Sequence, residues 1–176
     1  NLIFRAASAR SPICRASSAT CCVALLLLAA CGTYGPGSLQ PGQSEAEARK
    51  ELGEPTLRST LPGAGTRLDY ARGPYGKHTY RVELDAAGKV TAISQLLSEN
   101  SFEALRPGWS RQQVLDQIGP ATHVRVGWRG VGTVWSYRYD GVFCRWFQVW
   151  LVEDRVREAA YAIDPNCDDL KPLRGE

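Results

Sequence analysis

The sequence predicts an α+β protein built from two tandem units, each a helix, a second helix and three antiparallel strands, with the helices packed on one face of the sheet. Three observations predict this. A hexapeptide at residues 39–44 returns at 105–110. Both copies open a segment with the start and stop signals of a short helix. Both then run into strands whose apolar residues alternate with period two.

The elements follow in order. Leu39-Gln-Pro-Gly-Gln-Ser44 is matched by Leu105-Arg-Pro-Gly-Trp-Ser110. Each Ser opens a capping box, with Glu47 or Gln113 three residues on. Ala48 and Leu52, like Val114 and Ile118, are spaced i, i+4 and face a core. Gly53 and Gly119 suit a helix C-terminus that needs a positive φ, and Pro55 and Pro120 follow. Leu68-Asp-Tyr70 then matches Trp135-Ser-Tyr137, and Tyr80-Arg-Val-Glu-Leu84 matches Phe147-Gln-Val-Trp-Leu151. Asp85-Ala-Ala-Gly88 and Glu153-Asp154 turn the chain toward Val90 and Val156. A further short helix is expected to begin at Ser101 and to cover Phe102 to Leu105. The units span 39–98 and 99–163, and 164–176 is a C-terminal tail.

The chain has 176 residues and a formal charge of +3. That excess is local: residues 1–30 hold Arg5, Arg10 and Arg15 and no acidic residue, and the rest of the chain is balanced. Nucleic-acid binding therefore has no electrostatic footprint. The apolar run Cys21 to Ala30 is too short for a membrane-spanning helix, which needs about 20 residues, and has the length of a signal-peptide hydrophobic region. It ends in Leu28-Ala29-Ala30-Cys31, which resembles the lipobox of bacterial lipoproteins. The resemblance implies a signal over 1–30, lipidation of Cys31 as the membrane anchor, and a Gly/Pro-rich tether over 31–38. Gly32, where an Asp would retain the protein at the inner membrane, implies transfer to the outer membrane. An organellar transit peptide, or an ordinary cleaved signal with Cys31 incidental, remains the alternative.

With Cys14, Cys21 and Cys22 in the signal and Cys31 lipidated, Cys144 and Cys167 remain. In an oxidising compartment they are expected to form a disulfide, with two free thiols as the alternative.

The Pro-Gly-x-Ser motif, the helix ending in Leu/Ile-Gly, the aromatic or apolar-x-Tyr strand and the alternating strand together resemble the SmpA/OmlA (BamE-like) family of outer-membrane lipoproteins. The likeness covers roughly 39–163. It implies a periplasm-facing, lipid-anchored protein-interaction module whose partner belongs to the outer membrane or periplasm, including components of β-barrel assembly. Family members carry one unit where this chain carries two. Tandem duplication resembles the β-lactamase inhibitory protein fold, which implies the alternative of a module that blocks a periplasmic or secreted enzyme.

A hydrolase is the remote alternative. His78 and His123 sit at unrelated places in the two units, and no HExxH, GxSxG, paired CxxC or phosphate loop occurs. No catalytic residue, metal site or cofactor is expected.

One difference between the units points to function. In the first, the face of the long strand opposite the core carries Lys77, Thr79, Arg81 and Glu83 and reads as solvated. In the second, the same face carries Cys144, Trp146, Gln148 and Trp150. All five tryptophans lie in the second unit. Two exposed tryptophans would present about 300–500 Å² of apolar surface, as much as the largest patch on a typical monomer. Three covers are open: a protein partner, the chain's own tail drawn over by Cys144–Cys167, or the first unit. Trp146, Gln148 and Trp150 are the candidate contacts, with Trp109 and Trp128 able to join them. Trp109 also reads as a staple beside the Ser110 cap, and Trp135 reads as core.

Overall fold

The computed structural model describes residues 35–167; the candidate signal, Cys31 and the tail beyond Cys167 lie outside them. The protein is α+β, with two separate four-stranded antiparallel sheets and three short helices among the described residues. The first unit runs α1 (Glu45–Leu52), β1 (Leu57–Thr60), a 3-10 turn, β2 (Thr66–Ala71), β3 (Thr79–Leu84) and β4 (Val90–Gln95). The second runs α2 (Glu99–Glu103), α3 (Arg111–Ile118), β5 (His123–Val126), a 3-10 turn (Trp128–Gly130), β6 (Thr133–Arg138), β7 (Arg145–Val152) and β8 (Arg155–Ile163). Strand order follows chain order in both sheets, β1-β2-β3-β4 and β5-β6-β7-β8.

The helix signals act as their chemistry requires. Ser44 Oγ accepts from the Glu47 N–H at 3.3 Å and Glu47 accepts from the Ser44 N–H at 2.7 Å; Ser110 and Gln113 make the same reciprocal pair at 3.2 and 2.8 Å. These bonds satisfy orphan N–H groups at each N-terminus. Gly53 and Gly119 close the helices at φ 78° and 72° with extended ψ, a region essentially open only to glycine. Buried Ala48 and Leu52 join Leu68, Tyr70, Val82 and Leu84 in one core. Val114 and Ile118 join Phe102, Trp135, Tyr137, Phe147, Val149 and Leu151 in the other.

Three expectations are corrected. Each sheet has four strands instead of three. β1 and β5 are four-residue edge strands, too short for alternation to mark them: β5 alternates His123 and Arg125 with Val124 and Val126, yet all four residues are exposed. The short helix begins at Glu99, capped by Ser98 Oγ accepting from the Ser101 N–H, two residues before the expected start. Only the second unit has two α-helices among the described residues.

A fourth correction sets up the site. The face read as solvated is buried at its centre: Thr79 is fully covered and Arg81 is 6% exposed, while Glu83 is half-buried and Lys77 is exposed as expected. The cover is α3, which turns Val114 and Ile118 to its own core and its last turn to the first sheet. Arg81 donates to Asp69 through Nε (2.7 Å) and Nη2 (2.8 Å), and also to the carbonyls of Leu115 and Asp116. The Leu115 carbonyl also accepts the Gly119 N–H, whereas the Asp116 carbonyl faces Pro120, which has no N–H; both lie at the partly negative helix C-terminus, so a guanidinium is the natural cap. Arg67 adds an ion pair to Asp116 at 2.6 Å. The two sheets are thus joined through one helix and are not continuous.

Candidate sheet-face interaction site

The strand registers place equivalent residues of the two sheets side by side in rows. Across the first sheet runs Leu57, Asp69, Arg81 and Ser94; across the second runs His123, Ser136, Gln148 and Ala160. The flanking row of the second sheet is Arg125, Val134, Trp150 and Glu158, and on the other side Arg138, Trp146 and Ala162. Asp69 has thus become Ser136, Arg81 has become Gln148, Glu83 has become Trp150 and Thr79 has become Trp146. Where the first sheet holds a buried ion pair against a helix, the second holds a neutral hydrogen bond, Gln148 Nε2 donating to Ser136 Oγ at 2.8 Å.

The chain covers half of this face itself. Trp146 is 7% exposed, not open as the strand alternation implied. The Arg138 guanidinium lies 5.3 Å from its ring centroid and His123 is 5.9 Å away. Pro74, Tyr75, Pro165 and Asn166 line the same hollow. Arg138 is fixed in turn by Asp164, with Nη2 donating to Oδ1 at 2.9 Å, and by the carbonyl of Pro74. Burial pushes the Asp164 carboxyl up, but bonds from Arg138 and from the Asn166 N–H prevail and hold it below the usual carboxylate range. Cys144 and Cys167 are disulfide-bonded, with Cα atoms 5.9 Å apart, which pins the segment after β8 beside the start of β7. Of the three covers left open by the sequence, two meet at Trp146: the segment at Pro165 and Asn166, and the first unit through Pro74 and Tyr75.

The other half remains open. Trp150 is half-buried, its indole N–H donating to the Val131 carbonyl at 3.0 Å, so its ring is locked in place. Trp128, on the 3-10 turn, is 71% exposed. The two tryptophans, with Arg125, Gln148, Glu158 and Ala160, border a cavity of about 240 Å³. Trp128 had no counterpart in the first unit to mark it; its signal was an aromatic residue between glycines. Trp109 is not part of this face: it is half-buried against the second core, where the staple reading placed it. Trp135 belongs to that core.

The histidines do not converge: His78 stacks on Tyr80 and His123 leans on Trp146. Among the described residues no group of three or more His, Cys, Asp or Glu is placed to hold a metal ion, and no helix is long and apolar enough to cross a membrane. Tyr137 is fully buried and its hydroxyl is pushed well above its ordinary pKa by burial; it donates to the Gly119 carbonyl at 3.1 Å and serves the helix end.

No protein-family model matches the chain and no curated protein matches it, so the SmpA/OmlA likeness stands on its motifs alone. Among solved structures, a Streptococcus mutans chain described as a candidate β-lactamase inhibitor protein aligns over 74% of this chain and 88% of its own, at 10% identity and a TM-score of 0.31. A likeness that distant carries no argument about what this chain binds.

Proposed function

We propose that this chain is a lipid-anchored, periplasm-facing outer-membrane lipoprotein that works as a protein-interaction module through the open half of its second sheet, in outer-membrane protein assembly or envelope maintenance. One observation carries the interaction reading: the face that grips a helix in the first sheet is uncovered in the second and carries Trp150, with Trp128 beside it. A rigid, half-buried tryptophan beside an exposed one, ringed by Arg, Gln and Glu, is the composition of an interface anchor with its polar rim. The anchor and location rest on Leu28-Ala29-Ala30-Cys31. Several acyl chains on one cysteine would hold stably where a single chain of about 14 carbons is marginal.

The test is capture from detergent-solubilised envelopes on the full chain, beside a Trp128→Ala/Trp150→Ala variant. The expected result is recovery of β-barrel assembly components by the native chain alone, with the two melting temperatures within a few degrees. Recovery of a soluble enzyme instead would favour the inhibitor-like reading, and equal recovery by both chains would remove the face. Labelling with a palmitate analogue tests the anchor: a Cys31→Ser chain that labels as well as the native one is not anchored there.

A further inference from the structure

The open face does not end at the groove; it runs out to a bare strand edge. β8 is the last strand of its sheet and pairs only with β7. Its first residues are covered, because the Gly108 N–H donates to the Val156 carbonyl and the Val156 N–H donates to the Trp109 carbonyl. Beyond them, among the described residues, no main-chain group outside the sheet bonds to Arg157–Ile163. The stretch Ala159-Ala-Tyr-Ala-Ile163 has no charge, no proline and no lysine, the devices that normally blunt such an edge. Ile163 is 66% exposed.

β4 ends the first sheet in the same way, with Ala92 and Ser94 exposed, but the face behind it is occupied: Thr79 and Arg81 of β3 are buried under α3. β5, the other edge of the second sheet, is open too but is only four residues long and carries Arg125, whereas the β8 edge is longer and uncharged over 159–163. The side chains β8 contributes to the open face are Glu158, Ala160 and Ala162, and all three line the groove that Trp128 and Trp150 border. The two alanines leave Trp150 reachable from the edge.

Resting on the interaction reading above, we propose that β8 accepts a fifth antiparallel or parallel strand: an extended segment of the partner with large apolar side chains at alternate positions and a basic residue near Glu158. Main-chain bonds to β8 supply affinity, and alternate side chains dropping into the groove supply specificity. A second copy of this chain is the wrong occupant. Its own β8 would bring alanines and another carboxylate to a cavity of about 240 Å³, leaving Trp150 unfilled. A docked helix would also cover the tryptophans, but would leave the β8 edge unbonded.

The test is selection of random linear dodecapeptides on the full chain in detergent micelles, followed by binding of the winners. Enriched peptides should carry large apolar residues with period two and bind the Trp150→Ala chain at least tenfold more weakly. N-methylating alternate peptide amides should abolish binding in one of the two registers and spare it in the other, since only one set faces β8. Bound peptide should slow amide exchange within residues 157–163. Period i, i+3, i+4 among the winners, tolerance of both N-methyl registers, no enrichment over the Trp150→Ala chain, or a concentration-dependent dimer that protects β8 would each overturn the proposal. A folded protein captured through Trp128 and Trp150, with no strand-forming peptide enriched, would remove this mode and leave the interaction face standing.

Discussion

Arg81 and Asp69 form a two-point ion pair between β3 and β2, and the same guanidinium holds the last turn of α3 through the carbonyls of Leu115 and Asp116. Both side chains are almost wholly out of water, at 7% and 1% exposure. Removing one partner strands the other. Arg81→Met should cost about 3–5 kcal/mol of stability, read by urea unfolding, and Arg81→Met with Asp69→Leu should recover much of the loss. A single Arg81→Met chain as stable as the native one would show that α3 is held elsewhere.

The disulfide closes a loop with a sequence separation of 23 residues. Loop-closure entropy makes it worth about 3 kcal/mol. Cys144→Ser/Cys167→Ser should melt lower by that amount and release Pro165 and Asn166 from the Trp146 hollow. Trp146 should then become accessible to iodide quenching, while the chain with its disulfide intact keeps it shielded.

Gly53 and Gly119 end matching helices with nearly the same backbone, yet their surroundings differ. A Cβ at Gly53 would meet nothing within 4 Å, whereas one at Gly119 would lie 3.0 Å from Thr79 Cγ2 and 3.1 Å from Leu96 Cδ1. Gly53→Ala should cost about 1–3 kcal/mol from backbone strain alone. Gly119→Ala should cost more, because it also pushes α3 off the first sheet. Thermal melts of the two variants give the comparison directly.

Asp164 has a folded-state pKa depressed below its ordinary value, so its contribution to stability is complete above that ordinary value and fades as pH falls through it toward the folded pKa. Stability should therefore decline on the acid side, and Asp164→Asn should flatten part of that slope while lowering stability at neutral pH. Urea midpoints measured from pH 6 down to pH 3 for both chains test it; identical slopes would mean the Arg138 pair does not persist in solution.

The parts of the fold visible in the sequence are those whose causes are local. A Ser with Glu or Gln three residues on needs nothing else to cap a helix, and Tyr80, Val82 and Leu84 declare one face of a strand by alternation alone. Arg81 could not be read that way. A charged residue alternating with apolar ones means solvent unless something covers it, and what covers it comes from Leu115 and Asp116, in the next unit. Trp146 failed for the same reason in reverse: its shield is assembled from Arg138, Asp164 and the turn at Pro165, residues spread over both sides of β7. Trp150 was legible because nothing distant intervenes, and β5 was not, because His123-Val-Arg-Val126 alternates over too few residues to be told from a loop.

The replacement of Arg81 and Asp69 by Gln148 and Ser136 also decides which helix each sheet can hold. A third unit, or the first unit of a neighbouring molecule, could continue the pattern only by setting its helix on the second sheet as α3 sets on the first. α1, the matching helix, offers Arg49 and Lys50 where α3 offers Leu115 and Asp116. The second sheet has no guanidinium in the Arg81 place to hold the last carbonyls of that helix, and Val134 stands in the place of Arg67, so Lys50 would meet an apolar residue where Asp116 meets a charge. A helix matched to the first sheet is thus refused by the second, although the two sheets share one register.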